Sequence, residues 1–333
     1  MMPPLQIVML VFTTVSMLTY AFILLSVERL KKHEPFLRGS FFRLCATNFL
    51  VDAIFYLEFT VLMRFRKYGL LNDFFALHPQ LLTVVPPISI GLHYYIKMVV
   101  YLGEMSIAAN RLTSAMRPIT YEKIWSSSFL WQVRAAQFII PMIVMLPIVL
   151  NPRYEFKYVI YASQNTLRLE TDPASTEVLA LVDMVSSTTA TMASLFMYIC
   201  TVIRIRQLFK EQLANANSVQ SSSVDYRLLL SALIMFFVYT PNTAMQVLTI
   251  VFKDKLSKVM FVNDLSYPVV DMMYSCPPWA LLITSSKLRQ CLWRTTGRRL
   301  SNIISTKSPT RTGAPSMFIV TQRIPSTAVT KTF

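Results

Sequence analysis

The sequence predicts an all-α membrane protein, built as a bundle of seven transmembrane helices. Of the 333 residues, 54% are hydrophobic and only 15% are charged, a balance that would leave large apolar patches exposed on a soluble protein. Apolar segments of about 20 residues, the length that crosses a hydrocarbon core, recur along most of the chain. We therefore expect one helical bundle and no separate soluble domain.

The apolar segments divide the chain into a membrane domain, residues 1–285, and a polar cytoplasmic tail, residues 286–333. No basic residue precedes the first segment, and Arg29, Lys31 and Lys32 follow it. This order is typical of a signal anchor that is retained with the N-terminus outside. The seven predicted spans are residues 4–26, 40–63, 81–109, 130–150, 176–203, 228–252 and 264–285.

The distribution of basic residues predicts the orientation, because Lys and Arg are enriched on the cytoplasmic side of a membrane. With the N-terminus outside, the inner loops and the start of the tail contain seventeen of them and the outer loops nine, among them Arg64, Arg66 and Lys67. We therefore expect a multi-pass plasma-membrane protein with a cytoplasmic C-terminus. The net charge of +15 is spread between the spans, which argues against nucleic-acid binding.

Motifs of soluble enzymes are absent from the sequence. It has no Gly-rich phosphate loop, no His-Glu-x-x-His and no paired-cysteine metal site. His33, His78 and His93 lie at different predicted depths and cannot form one metal site. We expect no catalysis, no cofactor and no metal.

The tail begins with a basic and apolar stretch, residues 287–294, that predicts a short interfacial helix. Cys291 within it is a candidate for lipidation, with an unmodified thiol as the alternative. The rest of the tail is rich in Ser, Thr and basic residues, a composition typical of disorder.

Ionisable residues inside the spans are the most informative positions, because each costs several kcal/mol if it faces lipid. In the third span His93, Lys97 and Tyr101 are spaced by four residues and Glu104 follows three later. This spacing puts all four side chains on one helical face. The face must point into the bundle.

Lys97 then needs a counter-charge, and four carboxylates are candidates: Asp271 or Asp183 at similar depth, and Asp52 or Glu104 nearer the inner half. The polar and aromatic residues of the outer and middle parts of the spans form the expected ligand pocket. An interhelical ion pair that only fixes packing is the alternative role for them. The expected pocket residues are His93, Tyr94, Lys97, Asp183, Gln246, Tyr267 and Asp271.

The third span ends in Asn110-Arg111, and the seven spans with this pair resemble the architecture of G-protein-coupled receptors. The rhodopsin-like family has an acid before the arginine, an aromatic after it and a proline seven residues later; here Arg111 and Pro118 keep the spacing, while Asn110 and Leu112 depart from it. The longer pattern Asn110-Arg111…Pro118-x-x-Tyr121-x-x-Ile124-Trp125 is similar to the nematode serpentine chemoreceptors of the class gamma superfamily, which includes the class gamma and class V groups.

This resemblance implies a chemosensory receptor that binds a small molecule or peptide from outside and signals to a heterotrimeric G protein. A ligand-gated channel or transporter, with the intramembrane charges along its pathway, is the alternative. Arg111 would be the switch or G-protein contact, or else only an anchor at the lipid headgroups. The expected coupling residues are Asn110, Arg111, Pro118, Tyr121, Trp125 and Arg204.

Overall fold

A computed structural model of the chain gives the fold. The compact unit that it describes ends at Leu292, and the predicted tail beyond it, like Cys291, lies outside the described residues. The described residues are 2–161, 166–214, 234, 237–248, 260–286, 288–290 and 292.

Helices make up most of this unit. The second helix continues without a break as a π-helix over Phe59–Phe65, and a short 3₁₀ helix, Pro35–Arg38, precedes it. The α-helices are α1 (Pro4–Leu30), α2 (Ser40–Glu58), α3 (Asn72–Leu77), α4 (Leu81–Met116), α5 (Tyr121–Ile124), α6 (Ser127–Val149), α7 (Pro173–Ala214), α8 (residues 237–248) and α9 (Met260–Thr284).

Four of the described helical segments are long and apolar enough to cross a membrane: Pro4–Leu30, Ser40–Phe65, Ser127–Val149 and Pro173–Leu208. The prediction of a helical membrane bundle is confirmed. Helix α4 is not among the four although it has 36 residues, because its polar face lowers its mean hydropathy.

Helix α4 is the centre of the bundle: it contacts α2, α6 and α7. The side chains of Lys97 and Tyr101 are each 2% exposed, so the polar face of α4 points inward as its spacing predicts. Close packing on another side depends on Gly103, where an added Cβ would lie 2.5 Å from Asn48 Oδ1 and 2.7 Å from Gln137 Nε2. The missing side chain leaves room for the hydrogen bond of 3.1 Å that Gln137 Nε2 donates to Asn48 Oδ1.

A β-hairpin, which was not predicted from the sequence, lies between α6 and α7. Its strands, β1 (Phe156–Tyr161) and β2 (Thr166–Thr171), pair antiparallel. Tyr158 and Leu167 are buried against Phe75 of α3, and Arg66 Nη1 donates a hydrogen bond of 3.2 Å to the Leu167 carbonyl. The hairpin therefore covers one end of α4, which β1 also contacts.

The start of α7 is capped by Asp172. Its Oδ2 accepts a hydrogen bond of 2.9 Å from the Ser175 amide, and its Oδ1 accepts one of 3.0 Å from the Glu155 amide. An aspartate before a proline at the first helical position is a favourable helix start. The hydrogen bonds from Ser175, followed in size by that from Glu155, hold the pKa of the Asp172 carboxyl below its usual range.

We expect Asp172→Ala to lower the melting temperature of the purified protein in detergent at about pH 6. A lowered folded-state pKa means that the carboxylate stabilises the fold above its unfolded pKa, about 3.9, and that this contribution is lost as pH falls through the lower folded value. The difference in melting temperature between Asp172→Ala and the unchanged protein should therefore vanish in strong acid. Asp172→Asn, which keeps an acceptor but not the charge, is the control. Equal melting temperatures of Asp172→Ala and the unchanged protein at about pH 6 would contradict the capping role.

Candidate functional site

Four polar side chains from three helices meet at Lys97, and we call them the lysine cluster: Lys97 and Tyr101 of α4, Asp183 of α7 and Asn242 of α8. Lys97 Nζ forms an ion pair with Asp183 Oδ2. The Tyr101 hydroxyl donates to Asp183 Oδ1 at 2.9 Å and accepts from Asn242 Nδ2 at 2.8 Å. Lys97 Nζ also lies 3.5 Å from Asn242 Oδ1, which closes the ring.

All four side chains of the lysine cluster are at most 2% exposed. Among the carboxylates that the sequence left open as partners of Lys97, the structure selects Asp183. Both oxygens of Asp183 accept hydrogen bonds, so its charge is compensated by an ammonium group and a hydroxyl. A buried charge that lost such partners would be strongly destabilising, and the ring therefore ties α4, α7 and α8 together.

A second buried ion pair joins the π-helix to α9, and we call it the arginine cluster: Arg64, Asp271 and Tyr274. Arg64 Nη2 pairs with Asp271 Oδ2, and the Tyr274 hydroxyl donates to Asp271 Oδ1. Each of the three side chains is 0% exposed.

The placement of Arg64 in an outer loop was wrong. The second span, predicted to end at residue 63, continues in helical form through Phe65. Arg64 lies within its π-helical part, a geometry frequent at functional sites, and its charge is compensated by Asp271. The signal that was available is the carboxylate of Asp271 in the seventh span, which needed a cationic partner as much as Lys97 needed an anionic one.

Unpaired polar atoms lie in this region. Arg64 Nε and Nη1 and Glu58 Oε1 are buried and have no hydrogen-bond partner within the described part of the chain. Buried polar atoms in proteins nearly always have a partner. These two donors and one acceptor could therefore bind a molecule that is not part of the chain.

Aromatic rings connect the two clusters. His93 Nδ1 lies 3.1 Å from Glu58 Oε2, and the His93 ring stacks on Phe59 at a centroid distance of 5.7 Å. Phe59 in turn contacts Tyr267 at 5.1 Å and lies 5.4 Å below the Arg64 guanidinium. Phe59 is thus shared by side chains of α4, α9 and the π-helix.

The other two predicted pocket residues lie nearer the lysine cluster. Tyr94 contacts His93 edge-on at 5.4 Å, and its ring centroid is 5.7 Å from Lys97 Nζ. Gln246 is half-buried and follows Asn242 by four residues on α8. Six of the seven predicted pocket residues thus lie in the two polar clusters or among the rings between them, and Gln246 lies on α8 beyond Asn242. Arg64 and Phe59 were not predicted.

Near the C-terminal end of α4, three side chains form a polar triad: Ser40, Asn110 and Tyr121. Asn110 Nδ2 donates to Ser40 Oγ at 2.9 Å, the Tyr121 hydroxyl donates to Asn110 Oδ1 at 2.9 Å, and the Ser40 and Tyr121 oxygens are 2.8 Å apart. An aspartate at position 110 could not donate to Ser40 as the amide does. The triad holds α5 and the start of α2 against the end of α4.

Arg111 lies beside the triad and stacks on an aromatic ring. Its guanidinium carbon is 3.5 Å from the centroid of Phe41, within the range of a cation–π contact. Together with Glu104, Tyr198 and Thr201 it lines a cavity among α1, α2, α4, α7 and α9.

The remaining predicted coupling residues lie around this end of the bundle. Trp125 is buried with Leu44 and Leu130; Pro118 is exposed. Arg204 Nη1 is 3.4 Å from Gln207 Oε1. Trp125 therefore anchors the loop between α4 and α6, whereas Pro118 lies on its surface.

The described residues contain no group of three or more His, Cys, Asp or Glu side chains that could hold a metal ion. Cys45, Cys200 and Cys276 are free thiols.

Comparison with known proteins identifies the family. No curated protein matches the chain. Residues 9–298 match the family described as the serpentine type 7TM GPCR chemoreceptor Srv, which confirms the resemblance to nematode serpentine chemoreceptors. The match covers most of the 333 residues. The chain therefore belongs to the Srv family of serpentine seven-transmembrane chemoreceptors.

Proposed function

We propose that this Srv-family receptor binds a small molecule or peptide from outside the cell and signals to a heterotrimeric G protein inside it. The observation that carries the proposal is the distribution of polar residues along α4. Lys97 belongs to the lysine cluster, and His93 stacks on Phe59 beside the arginine cluster. Asn110 and Arg111 lie near the C-terminal end of the same helix. One rigid helix thus connects a ligand site with a coupling site.

The ligand site lies around Phe59, between the lysine cluster and the arginine cluster. The unpaired nitrogens of Arg64 and the unpaired Glu58 oxygen would bind polar groups of the ligand. The rings of Phe59 and Tyr267 would contact its apolar part. A mainly apolar site with a few convergent polar groups is the usual form of a small-molecule pocket.

Signalling follows if the ligand binds one of two bundle arrangements more tightly and so shifts their populations. The lysine cluster couples α4 to α7 and α8, so a ligand that alters it changes how these helices pack. At the inner end, the triad and Arg111 would pass the change to the G protein. The excess of basic residues on that side supports its cytoplasmic orientation in the plasma membrane.

We expect His93→Ala to raise the agonist concentration for half-maximal response about tenfold, because His93 holds the proposed ligand contacts Glu58 and Phe59 in place. The hydrogen bond and the aromatic contact that hold them are worth together about 1–2 kcal/mol. The measurement is a dose response in cells, with an agonist found by screening small odorants and peptides, at matched surface expression. His33→Ala, at an exposed position three residues after α1 ends, is the control. An unchanged dose response of His93→Ala to every agonist would place the pocket elsewhere.

A further inference from the structure

A groove with basic side chains lies where the inner ends of α1, α2 and α6 meet, and we call it the basic groove. It is distinct from the ligand pocket and from the cavity at Arg111. The cations that line it are Lys31, Lys32, Arg38, Arg43 and Arg134.

Carboxylates neutralise little of this charge. Lys31 pairs with Glu28, the only acidic residue of the groove lining. Arg38 donates from Nε to the Lys31 carbonyl at 2.6 Å and from Nη2 to the Lys32 carbonyl at 2.9 Å. Because these acceptors are uncharged, the hydrogen bonds hold Arg38 in place and leave its positive charge uncompensated.

The other two guanidinium groups are held in the same way. Arg43 Nη1 donates to Ser127 Oγ at 3.2 Å, and Arg134 Nη2 donates to the Arg43 carbonyl. Arg134 Nε is buried and has no hydrogen-bond partner in the described part of the chain. The groove therefore has fixed cationic groups and one donor that the chain itself does not satisfy.

The remaining lining of the groove is apolar. Val27 and Leu37 are buried, and Leu24, Phe42 and Ala46 are half-buried. Leu24 and Val27 belong to the last turns of α1, which is long and apolar enough to span the membrane. The groove thus changes from apolar to basic along the direction in which a bilayer changes from acyl chains to phosphates.

We propose that the basic groove binds an anionic phospholipid of the adjacent leaflet, with its phosphate groups on the arginines and its acyl chains along α1. Arginine pairs with phosphate through two parallel hydrogen bonds, and clusters of basic residues next to a membrane span attract anionic headgroups. The apolar lining favours a lipid over an acidic peptide or a free phosphate, neither of which would cover it. The proposal requires no agonist and no G protein, so it stands or falls separately from the proposed function.

The test uses the purified full chain in nanodiscs of phosphatidylcholine, with and without a minor fraction of a phosphatidylinositol phosphate. Both leaflets of a nanodisc have the same composition, so the result does not depend on orientation. We expect the phosphoinositide to raise the melting temperature and to remain bound to the protein in native mass spectrometry after transfer to detergent. The variant Lys32→Gln/Arg43→Gln should retain about tenfold less of this lipid.

The matched control is Arg153→Gln/Lys157→Gln, which removes the same charge from exposed positions near the hairpin and should retain the lipid normally. A second variant, Arg134→Lys, keeps the charge but loses the forked donor and should weaken retention without altering the fold seen by circular dichroism. Three outcomes would overturn the proposal: equal lipid loss in the groove and control variants, full retention by the groove variant, or equal stabilisation by soluble inositol phosphate in phosphatidylcholine discs.

Discussion

Asp183→Ala is expected to destabilise the receptor by about 3–5 kcal/mol, the usual effect of removing one partner of a buried ion pair. The variant leaves the Lys97 ammonium, 2% exposed, without its carboxylate inside a membrane bundle. It also removes the acceptor of the Tyr101 hydroxyl. The remaining neighbour of Lys97, Asn242 Oδ1 at 3.5 Å, is neutral and cannot compensate the charge.

The measurement is thermal unfolding of the purified protein in detergent. Asp183→Asn keeps an acceptor for Tyr101 but loses the charge. Its melting temperature should therefore lie between those of the alanine variant and the unchanged protein. The double variant Lys97→Met/Asp183→Leu should recover most of the stability that Asp183→Ala loses, since replacing a buried ion pair by apolar side chains often leaves stability unchanged. If Asp183→Ala unfolds at the same temperature as the unchanged protein, the ion pair contributes nothing to the fold.

The double variant also separates the two roles that the sequence left open for these residues. If it folds and still responds to agonist with an unchanged dose response, the lysine cluster only fixes packing. If it folds but loses the response, the cluster takes part in ligand binding or in the switch.

Arg111→Ala is expected to abolish coupling while surface expression and agonist binding stay largely intact. Arg111 lines the cavity that it shares with Glu104 and stacks on Phe41, whereas the neighbouring Asn110 bonds to Ser40 and Tyr121. The asparagine therefore holds the loop, and under the proposed function the arginine contacts the G protein. Loss of its charge removes that contact without breaking the triad.

The measurement is agonist-evoked G-protein activation at matched surface expression, together with agonist binding. Arg117→Ala is the matched control, because Arg117 is an exposed arginine one residue beyond α4 and should tolerate the change. Normal signalling by Arg111→Ala would remove this residue from the mechanism and leave it as an anchor at the lipid headgroups.

The sequence predicted the parts of this molecule that depend on local pattern. The spacing of Lys97 and Tyr101 placed both on the buried face of α4, because helical periodicity depends on the helix alone. The pattern from Asn110 to Trp125 indicated the receptor superfamily because all its residues lie within one short stretch of the sequence.

Pairings between helices were harder to predict. Four carboxylates were candidates for Lys97, and the choice of Asp183 depends on how α4 and α7 are rotated against each other. Arg64 pairs with Asp271, 207 positions away, so a hydropathy boundary near residue 63 could not reveal that the arginine is buried. Asn110 meets Ser40 over 70 positions for the same reason.

The hairpin does have a local signal in the sequence. In β2 the apolar Leu167 and Leu169 alternate with Thr166, Arg168 and Glu170, as expected for a strand with one buried face. The mixed charge of residues 151–175, between the fourth and fifth predicted spans, concealed this alternation.

The central claim is that α4 connects a ligand site with a G-protein site, and one reconstitution tests it most directly. The purified receptor is placed in planar bilayers and in vesicles with a heterotrimeric G protein and an agonist, and both nucleotide exchange and membrane current are recorded. We predict agonist-dependent nucleotide exchange that disappears in Arg111→Ala, and no current. Agonist-evoked current in a membrane without G protein, with no nucleotide exchange when it is present, would contradict the account and indicate a ligand-gated channel.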